Sequence, residues 1–193
     1  MKPREKGGVC LALGALLLLA ALALTLYNVL DGQRAAHAAE VAVKALHEKI
    51  DAGETEPATP GEMPVIAVDG ENYIGALMIP SLNLDLPVMT DWDYTKLRVS
   101  PCRYSGSYLT GDLLICAHNY ARHFSPIKWI APGADVYLIG ADGRLLHYTV
   151  VSVETLRPAQ VEDMITPGDW ELTLFTCNTG GQTRCAVRCA AAA

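Results

Sequence analysis

The sequence lacks a basic tract outside its N-terminal residues, and its formal net charge is −6. Nucleic-acid binding needs clustered positive charge for phosphate contacts, so this composition gives no support for a nucleic-acid partner. Aromatic residues are also few, at 7% of the chain. The hydrophobic fraction of 51% is instead raised by an apolar N-terminus.

The 6 cysteines lack the dense, regular spacing of a small disulfide scaffold. The sequence leaves a disulfide such as Cys116 with Cys185 open, because strand register decides whether the two sulfurs can meet. No acidic cluster of the kind that binds calcium is found, and no metal or organic cofactor is expected.

The N-terminus carries a long uncharged run, the 24 residues from Gly7 to Leu30. A membrane-spanning helix needs about 20 such residues. Basic residues before the run and Asp31 after it predict a cytoplasmic N-terminus. A cleaved signal peptide is the alternative, because Ala36-His37-Ala38 has the small-x-small form of a cleavage site. The run exceeds the usual signal core of about 7 to 15 residues, which favours an anchor. Both readings place the remaining chain outside the membrane.

The rest of the chain divides by composition. Charges at helical spacing from Gln33 to Ile50 predict a short amphipathic helix, and Gly and Pro collect in a linker from Asp51 to Pro64. The predicted segments are a cytoplasmic basic tail (1–8), a transmembrane signal-anchor (9–30), a helical stalk and linker (31–72) and a catalytic domain (73–193).

From Tyr73 onward, short apolar runs alternate with turn signals, a pattern that predicts an all-β barrel or sandwich with short helices. Short helical turns are expected at Asp91–Leu97, His123–Ile130 and Pro158–Met164. The predicted strands are Tyr73–Ile79, Asp85–Met89, Arg103–Ser107, Asp112–His118, Asp135–Ile139, Leu145–Thr155, Leu172–Cys177 and Thr183–Cys189.

One stretch, ELTLFTCNTGGQTRCAVR from Glu171 to Arg188, organises the prediction of function. An apolar strand ends at Cys177, a Gly-Gly turn follows, and a return strand begins near Arg184. This hairpin brings a thiol close to a guanidinium, and nearby positive charge favours the nucleophilic thiolate. Arg188, four residues further along, is expected to be a surface or rim charge, although the two arginines could exchange roles.

A second apolar strand ends on a reactive side chain, His118, in Leu113-Leu114-Ile115-Cys116-Ala117-His118. A cysteine, a histidine and an arginine at strand ends can act as nucleophile, proton-transfer group and oxyanion stabiliser. Acyl transfer requires these three roles.

These residues resemble a known family. Thr173-Leu174-Phe175-Thr176-Cys177 is similar to the TLxTC signature of sortases, and Ala117-His118-Asn119 is similar to their G-H-N segment, with Ala where Gly is usual. Tyr73-Ile74-Gly75, Ile79-Pro80 and Leu86-Pro87-Val88 follow the order of sortase elements. The resemblance covers roughly Tyr73 to Arg188, and the class is not assigned.

The resemblance implies a closed eight-stranded β-barrel and a membrane-anchored cysteine transpeptidase of a Gram-positive-type surface. Cys177 would cut an LPxTG-like sorting signal through a thioester, with His118 and Arg184 as its catalytic partners. Thr176, just before the nucleophile, is the predicted substrate-binding residue. The acyl group would pass to an amine of a cell-wall precursor or a pilin subunit, outside a single-pass anchor.

Two other functions remain open. The same residues could serve a hydrolytic cysteine peptidase with water as acceptor. A non-enzymatic tethered domain could instead bind zinc through Cys177, Cys185, Cys189 and His118, although their spacing does not resemble a C-x-x-C zinc knuckle.

Overall fold

The computed structural model describes residues 3–56, 58–165, 168–178 and 180–192. Met1 and Lys2 of the predicted basic tail, Pro57 of the predicted linker, Thr179 of the Gly-Gly turn and Ala193 lie outside the described residues. The helices are α1 (Pro3–Asp51) and α2 (Val161–Ile165). The strands are β1 (Ile66–Val68), β2 (Glu71–Ile79), β3 (Leu84–Met89), β4 (Cys102–Ser105), β5 (Leu113–Cys116), β6 (Asp135–Gly140), β7 (Leu145–Leu156), β8 (Leu172–Cys177) and β9 (Arg184–Ala191). Short 3-10 turns span Pro80–Leu82, Lys96–Arg98, Ser125–Trp129 and Pro158–Gln160.

The strands from β2 to β9 form a closed barrel. Their order is β2-β3-β4-β5-β8-β9-β7-β6, and β6 pairs with β2 to complete the ring. Closure brings two backbones very close at Gly75, which has φ 151° and faces Gly140 across the seam. A Cβ at Gly75 would lie 2.1 Å from the carbonyl oxygen of Ile139, so only glycine fits there. The predicted eight-stranded barrel is therefore confirmed.

The barrel interior holds an apolar core. Side chains alternate along each strand, so residues two apart share a face. Leu172 and Leu174 of β8 point inward with Cys185, Val187 and Cys189 of β9. Every one of these side chains is at most 3% exposed.

The opposite faces of these two strands form what we call the outer face of the barrel. It carries Thr173, Phe175 and Cys177 of β8, paired in register with Arg188, Ala186 and Arg184 of β9. A second apolar cluster covers much of the barrel exterior, and its buried residues include Phe175 and Ala186 together with Ala42, Val43 and Leu46 of α1. The last part of α1 thus packs as a layer of the domain.

The chain divides into two compact units, Met1–Arg34 and Ala35–Ala193. The first is the apolar part of α1, which is long and apolar enough by composition to cross a membrane. The second contains the end of α1 and the barrel. Here the structure differs from the predicted stalk of 31–72, because Ala35, Ala39 and Leu46 are buried in the second unit.

Strand β1 was not predicted from the sequence. Ile66 and Val68 are buried and pair with Tyr73 and Glu71 of β2, outside the closed ring. A strand of three residues is too short for alternation to reveal it against a neighbouring Pro- and Gly-rich segment.

Candidate active site

Cys177 and Arg184 lie directly opposite each other at the open end of the β8–β9 pair. They form the last register pair before the connecting turn, and both side chains project from the outer face. Directly opposed residues of an antiparallel pair have Cβ atoms about 5 Å apart, within contact distance of a thiol and a guanidinium. Both side chains are half-buried, so the pair remains accessible from solvent.

The turn between these residues is held by its own hydrogen bonds. The backbone N–H of Asn178 donates to the carbonyl of Thr183 at 2.9 Å, and its side-chain amide donates to the Thr183 hydroxyl at 2.8 Å. Arg184 Nη1 donates to the carbonyls of Gly181 at 2.9 Å and Thr183 at 3.2 Å. These bonds orient the guanidinium while Nε and Nη2 carry further N–H donors of the same plane.

His118 reaches the same end of the barrel because β5 and β8 run parallel. Cys116 is the register partner of Phe175, so the chain leaves β5 beside the end of β8. The pairing continues one residue further, since the N–H of Ala117 donates to the carbonyl of Phe175 at 3.2 Å. His118 is the next residue and is half-buried. The three candidate catalytic residues therefore lie at one end of the barrel, which we call the rim. Cys177 ends β8, Arg184 begins β9 and His118 follows β5.

The segment after His118 is fixed by local contacts. The His118 and Tyr120 rings have centroids 5.0 Å apart, and the His118 carbonyl accepts a hydrogen bond from the Phe124 N–H at 3.3 Å. Lys128 Nζ donates to Asn119 Oδ1 at 2.5 Å. Phe124 is fully buried in the barrel core, which anchors the segment against the rim.

His123, five residues after His118, is fully buried. Its ring packs edge-on against Tyr120, with centroids 5.5 Å apart. Burial lowers the pKa of His123 to about 4, with the charge of His118 acting in the same direction and the backbone of Ala35 opposing it. A neutral buried ring is a packing residue, as its sequence position at the start of a short turn suggests.

Thr176 has a different position from the predicted one. It lies on the inner side of β8, is 1% exposed, and donates its hydroxyl to the carbonyl of Ala117 at 2.8 Å. Residues adjacent along a strand point to opposite faces, so Thr176 cannot line a groove beside Cys177. Its hydrogen bond instead joins the end of β8 to the residue before His118.

The expectation for Arg188 is wrong. Its side chain is only 1% exposed, where a surface or rim charge was expected. Arg184 and Arg188 do share the outer face, as their spacing of four residues requires. The α2 segment covers Arg188, whereas the strand ends leave Arg184 accessible.

The other cysteines do not join Cys177 in one site. All six thiols are free. Cys116 and Cys185 lie on strands separated by β8 and on opposite faces of the barrel wall, so the disulfide left open by the sequence does not form. Cys185 and Cys189 point inward, away from Cys177. In the described part of the chain, no group of three His, Cys, Asp or Glu side chains is placed to hold a metal ion.

Burial also makes these other thiols poor nucleophiles. It raises the pKa of Cys102 and Cys189 to about 12, and it raises the pKa values of Cys116 and Cys185. A raised thiol pKa lowers the fraction of nucleophilic thiolate. Cys177 is half-buried and lies beside a guanidinium, so it is the thiol of the barrel with access to a substrate.

An aromatic row on the outer face was not predicted. Phe175, two residues before Cys177, packs edge-on against Tyr104 at 5.2 Å, and Tyr104 stacks on Trp92 at 5.3 Å. Trp92 is 40% exposed, so the row runs from the cysteine strand to the surface. The sequence did indicate that Phe175 shares a strand face with Cys177, because the two residues are two apart. Trp92 and Tyr104 come together only through the fold.

The fold and the rim together define a class of protein. It is an all-β protein with a closed eight-stranded barrel, in which a cysteine ends one strand, an arginine opens the next, and a histidine follows the parallel neighbour.

The family follows from comparison with known proteins. A Sortase domain model matches residues 77–192, which is more than half of the chain. The chain belongs to the sortase family. It is 26% identical over 135 residues to sortase A of Bacillus anthracis, a match that covers 67% of this chain and 64% of that protein. The chain thus spans less than two thirds of this relative's length.

Solved structures show the same fold. A sortase D5 transpeptidase of Clostridium perfringens is 14% identical, with a TM-score of 0.64, over 81% of this chain and 99% of that chain. Sortase C1 of Streptococcus agalactiae is 24% identical, with a TM-score of 0.58, over 66% of this chain and 71% of that one.

Proposed function

We propose that this chain is a membrane-anchored cysteine transpeptidase that cleaves an LPxTG-like sorting signal and transfers the acyl group to an amine. The observation that carries the proposal is the register pair of Cys177 with Arg184, with His118 at the end of the parallel neighbour β5. Family membership supports the same reaction, because sortases resemble this chain in the residues at all three positions.

In the first step, the Cys177 thiolate attacks the carbonyl carbon of the Thr-Gly bond. The C–N bond breaks, a thioester forms on Cys177, and His118 donates a proton to the leaving amine. Arg184 donates hydrogen bonds to the oxyanion that develops on the carbonyl oxygen. The guanidinium is already oriented by the turn carbonyls, so little reorganisation is needed when the negative charge appears.

In the second step, an amine attacks the thioester, the C–S bond breaks, and a new amide forms. The amine's proton passes to His118, which returns the residue to its starting state. A cell-wall peptide or a pilin lysine would supply this amine. The reaction needs no metal and no organic cofactor.

The outer face supports an apolar peptide as substrate. An LPxTG-like signal carries a leucine and a proline, which favour an apolar surface with aromatic side chains. Trp92, which is 40% exposed, and half-buried Tyr104 provide such a surface beside Phe175, which lies two residues before Cys177. We propose that the signal lies along β8 with its leucine and proline toward this row.

The apolar part of α1 supports a single membrane anchor. Its uncharged residues Gly7–Leu30 are enough to cross a bilayer, and basic residues precede them. We propose that the N-terminus is cytoplasmic and that the barrel lies outside the cell.

The test is mass spectrometry of the full chain in detergent micelles after incubation with LPxTG-like peptides. We expect a thioester adduct carrying the peptide's N-terminal half, absent from Cys177→Ala. Adding an oligoglycine amine should release a ligated product. A folded chain that forms no adduct with any peptide would contradict the proposal, and release only as free acid despite the amine would indicate a hydrolytic peptidase.

A further inference from the structure

Arg188 is buried although it carries no proposed catalytic role, and both of its terminal nitrogens are hydrogen-bonded, whereas its Nε has no hydrogen-bond partner among the described residues. Its guanidinium is on the outer face of β9, covered by the segment between β7 and β8. Nη1 donates to the carbonyl of Met164 at 3.1 Å and to the hydroxyl of Thr173 at 3.0 Å, and Nη2 donates to the carbonyl of Asp163 at 2.7 Å. One side chain therefore joins β9, β8 and α2.

Two further groups balance its charge. Glu154 of β7 places a carboxylate oxygen 3.5 Å from Nη2, and the Trp170 ring lies 4.7 Å below the guanidinium carbon. Arginine stays charged under all ordinary conditions, and a buried charge is costly unless it is paired and hydrogen-bonded. The contacts of Arg188 therefore depend on α2 and Trp170 remaining in place, and α2 depends on Arg188 in turn.

Helix α2 needs an external partner because it has only five residues, Val161–Ile165. A helix this short is not stable by itself, and the carbonyls of its last turn have no partner within the helix. Asp163 and Met164 contribute two of these carbonyls, and Arg188 satisfies both. A cation near a helix C-terminus also interacts favourably with the helix dipole.

This tether reaches the proposed catalytic rim through the outer face. Met164 is 3% exposed and belongs to the same apolar cluster as Phe175. The cavity beside α2, lined by Leu114, Met164 and Thr173 among others, measures about 20 Å³, room for about one water. Helix α2 therefore packs tightly on the strands and covers Thr173. Along the outer face of β8, Phe175 follows Thr173, and Cys177 follows Phe175.

The dimensions match a short peptide. Thr173 and Cys177 are four residues apart on one strand, a distance of about 13 Å. The four residues of an extended acyl segment ending at the scissile bond span a similar length. A peptide running from Cys177 in the direction of Thr173 would meet the edge of α2, because Thr173 is already covered, so the position of α2 limits which side chain fits at the far end of the peptide.

We infer that Arg188 is a positioning residue that fixes α2 against β8 and thereby sets which sorting signals the Cys177 site accepts. The inference rests on the proposed function for its substrate. The tether itself depends only on the contacts of Arg188.

The experiment compares full-length wild type with Arg188→Lys and Thr173→Val in detergent micelles. Lysine retains the charge but presents its donors from a single point, so it cannot serve the carbonyls and the hydroxyl in the geometry of the planar fork. Thr173→Val removes one acceptor while preserving shape, and it keeps the test usable if Arg188→Lys does not fold. Arg144→Lys is the matched control, because Arg144 is exposed and pairs with Asp142 on a hairpin turn.

Two quantities are measured for each variant. Hydrogen exchange reports the opening of residues 158–165, and mass spectrometry reports thioester formation with an LPxTG-like peptide and with its Leu→Ala analogue. We expect exchange in this segment to rise about tenfold and the preference for leucine to fall about tenfold in Arg188→Lys, with smaller changes in Thr173→Val. The Arg144→Lys control should match wild type in both.

Unchanged exchange in both variants would overturn the tether. An equal loss of activity toward both peptides would overturn the role in selectivity. If wild type forms no thioester with any peptide, the proposed function and the selectivity role both fail. The exchange measurement still decides whether Arg188 holds α2.

Discussion

Thr176 illustrates how a residue next to the candidate nucleophile can influence the site from the other side of the strand. Its hydroxyl is buried and joins β8 to Ala117, the residue before His118. The residues directly before Cys177 and His118 are therefore hydrogen-bonded to each other, which helps to fix the spacing between the two strand ends. Valine has nearly the same shape but cannot donate this bond.

We expect Thr176→Val to lower the free energy of unfolding by about 1 kcal/mol, the typical net value of one hydrogen bond, because it leaves a buried carbonyl without this donor. Thioester formation should slow as well, since the His118 segment keeps its backbone bond from Ala117 to Phe175 but loses the side-chain bond to Thr176. Thermal unfolding and the rate of adduct formation are the two measurements. Thr176→Ser restores a hydroxyl and should recover most of the rate. Equal rates for the valine and serine variants would contradict this role.

Protonation of His123 is expected to lower the stability of the fold at acid pH. Its folded pKa of about 4 lies below the ordinary value of 6.5, so the unfolded chain binds the proton first as pH falls. Stability is therefore unaffected above pH 6.5 and is lost as pH falls from about 6.5 to 4. A difference of about 2.5 pKa units corresponds to about 3 kcal/mol once the lower pH is reached.

The measurement is the unfolding free energy at pH 7 and pH 4.5 for wild type and His123→Phe. We expect the phenylalanine variant to lose most of the pH dependence within this window. His147→Phe is the matched control, because His147 is exposed and pairs with Asp135 at 2.7 Å. If both variants keep the wild-type slope, another group accounts for the acid sensitivity.

Among the elements, the strands were the most predictable part of the fold. Leu172–Cys177 was predicted with the same bounds, and the other seven predicted strands correspond to β2–β7 and β9 with ends shifted by a few residues. The alternation of apolar and polar residues and the turn residues are local patterns, so they can be recognised from the sequence alone. The pairing of β5 with β8 is a long-range contact, and it was not predicted from the sequence.

Features that depend on long-range packing could not be predicted in the same way. The burial of Arg188 requires α2 and Trp170, both distant from it in sequence. The stacking of Trp92 on Tyr104 likewise requires the fold. The positions of Cys177, Arg184 and His118 at or near strand ends could be predicted from the sequence, whereas their catalytic roles stay a prediction.

The end of α1 provides a test at the element scale. Val43 is 6% exposed and belongs to the outer apolar cluster, whereas Val41 on the same helix is 49% exposed. If this part of α1 is a layer of the domain, Val43→Ala should lower the unfolding free energy by about 2 kcal/mol, the value of two buried methyl groups. Val41→Ala makes the same chemical change and should cost far less.

Unfolding of the full chain followed by tryptophan fluorescence would compare the two variants, since Trp92, Trp129 and Trp170 all lie in the second unit. Equal effects of Val41→Ala and Val43→Ala would mean that this helix behaves as an independent stalk.

At the scale of the whole molecule, the chain has an apolar first unit and a second unit that contains the barrel. The uncharged run of α1 lies in Met1–Arg34, and the barrel lies in Ala35–Ala193. The proposed reaction uses surface proteins and a cell-wall or pilin amine, so it requires the barrel to face the outside of the cell. Orientation is therefore a direct requirement of the proposed function.

Cys177 supplies a probe of this orientation, because the other cysteines of the barrel are buried with raised thiol pKa values. A membrane-impermeant maleimide should label the full chain in intact cells, and Cys177→Ala should lose that label. Cys10 lies within the apolar run and should remain unlabelled until detergent is added. If the label that depends on Cys177, measured as the difference between wild type and Cys177→Ala, arises only after permeabilisation, the barrel lies in the cytoplasm, where the proposed acceptors are absent. Such a result would exclude surface attachment even if the purified chain forms the thioester.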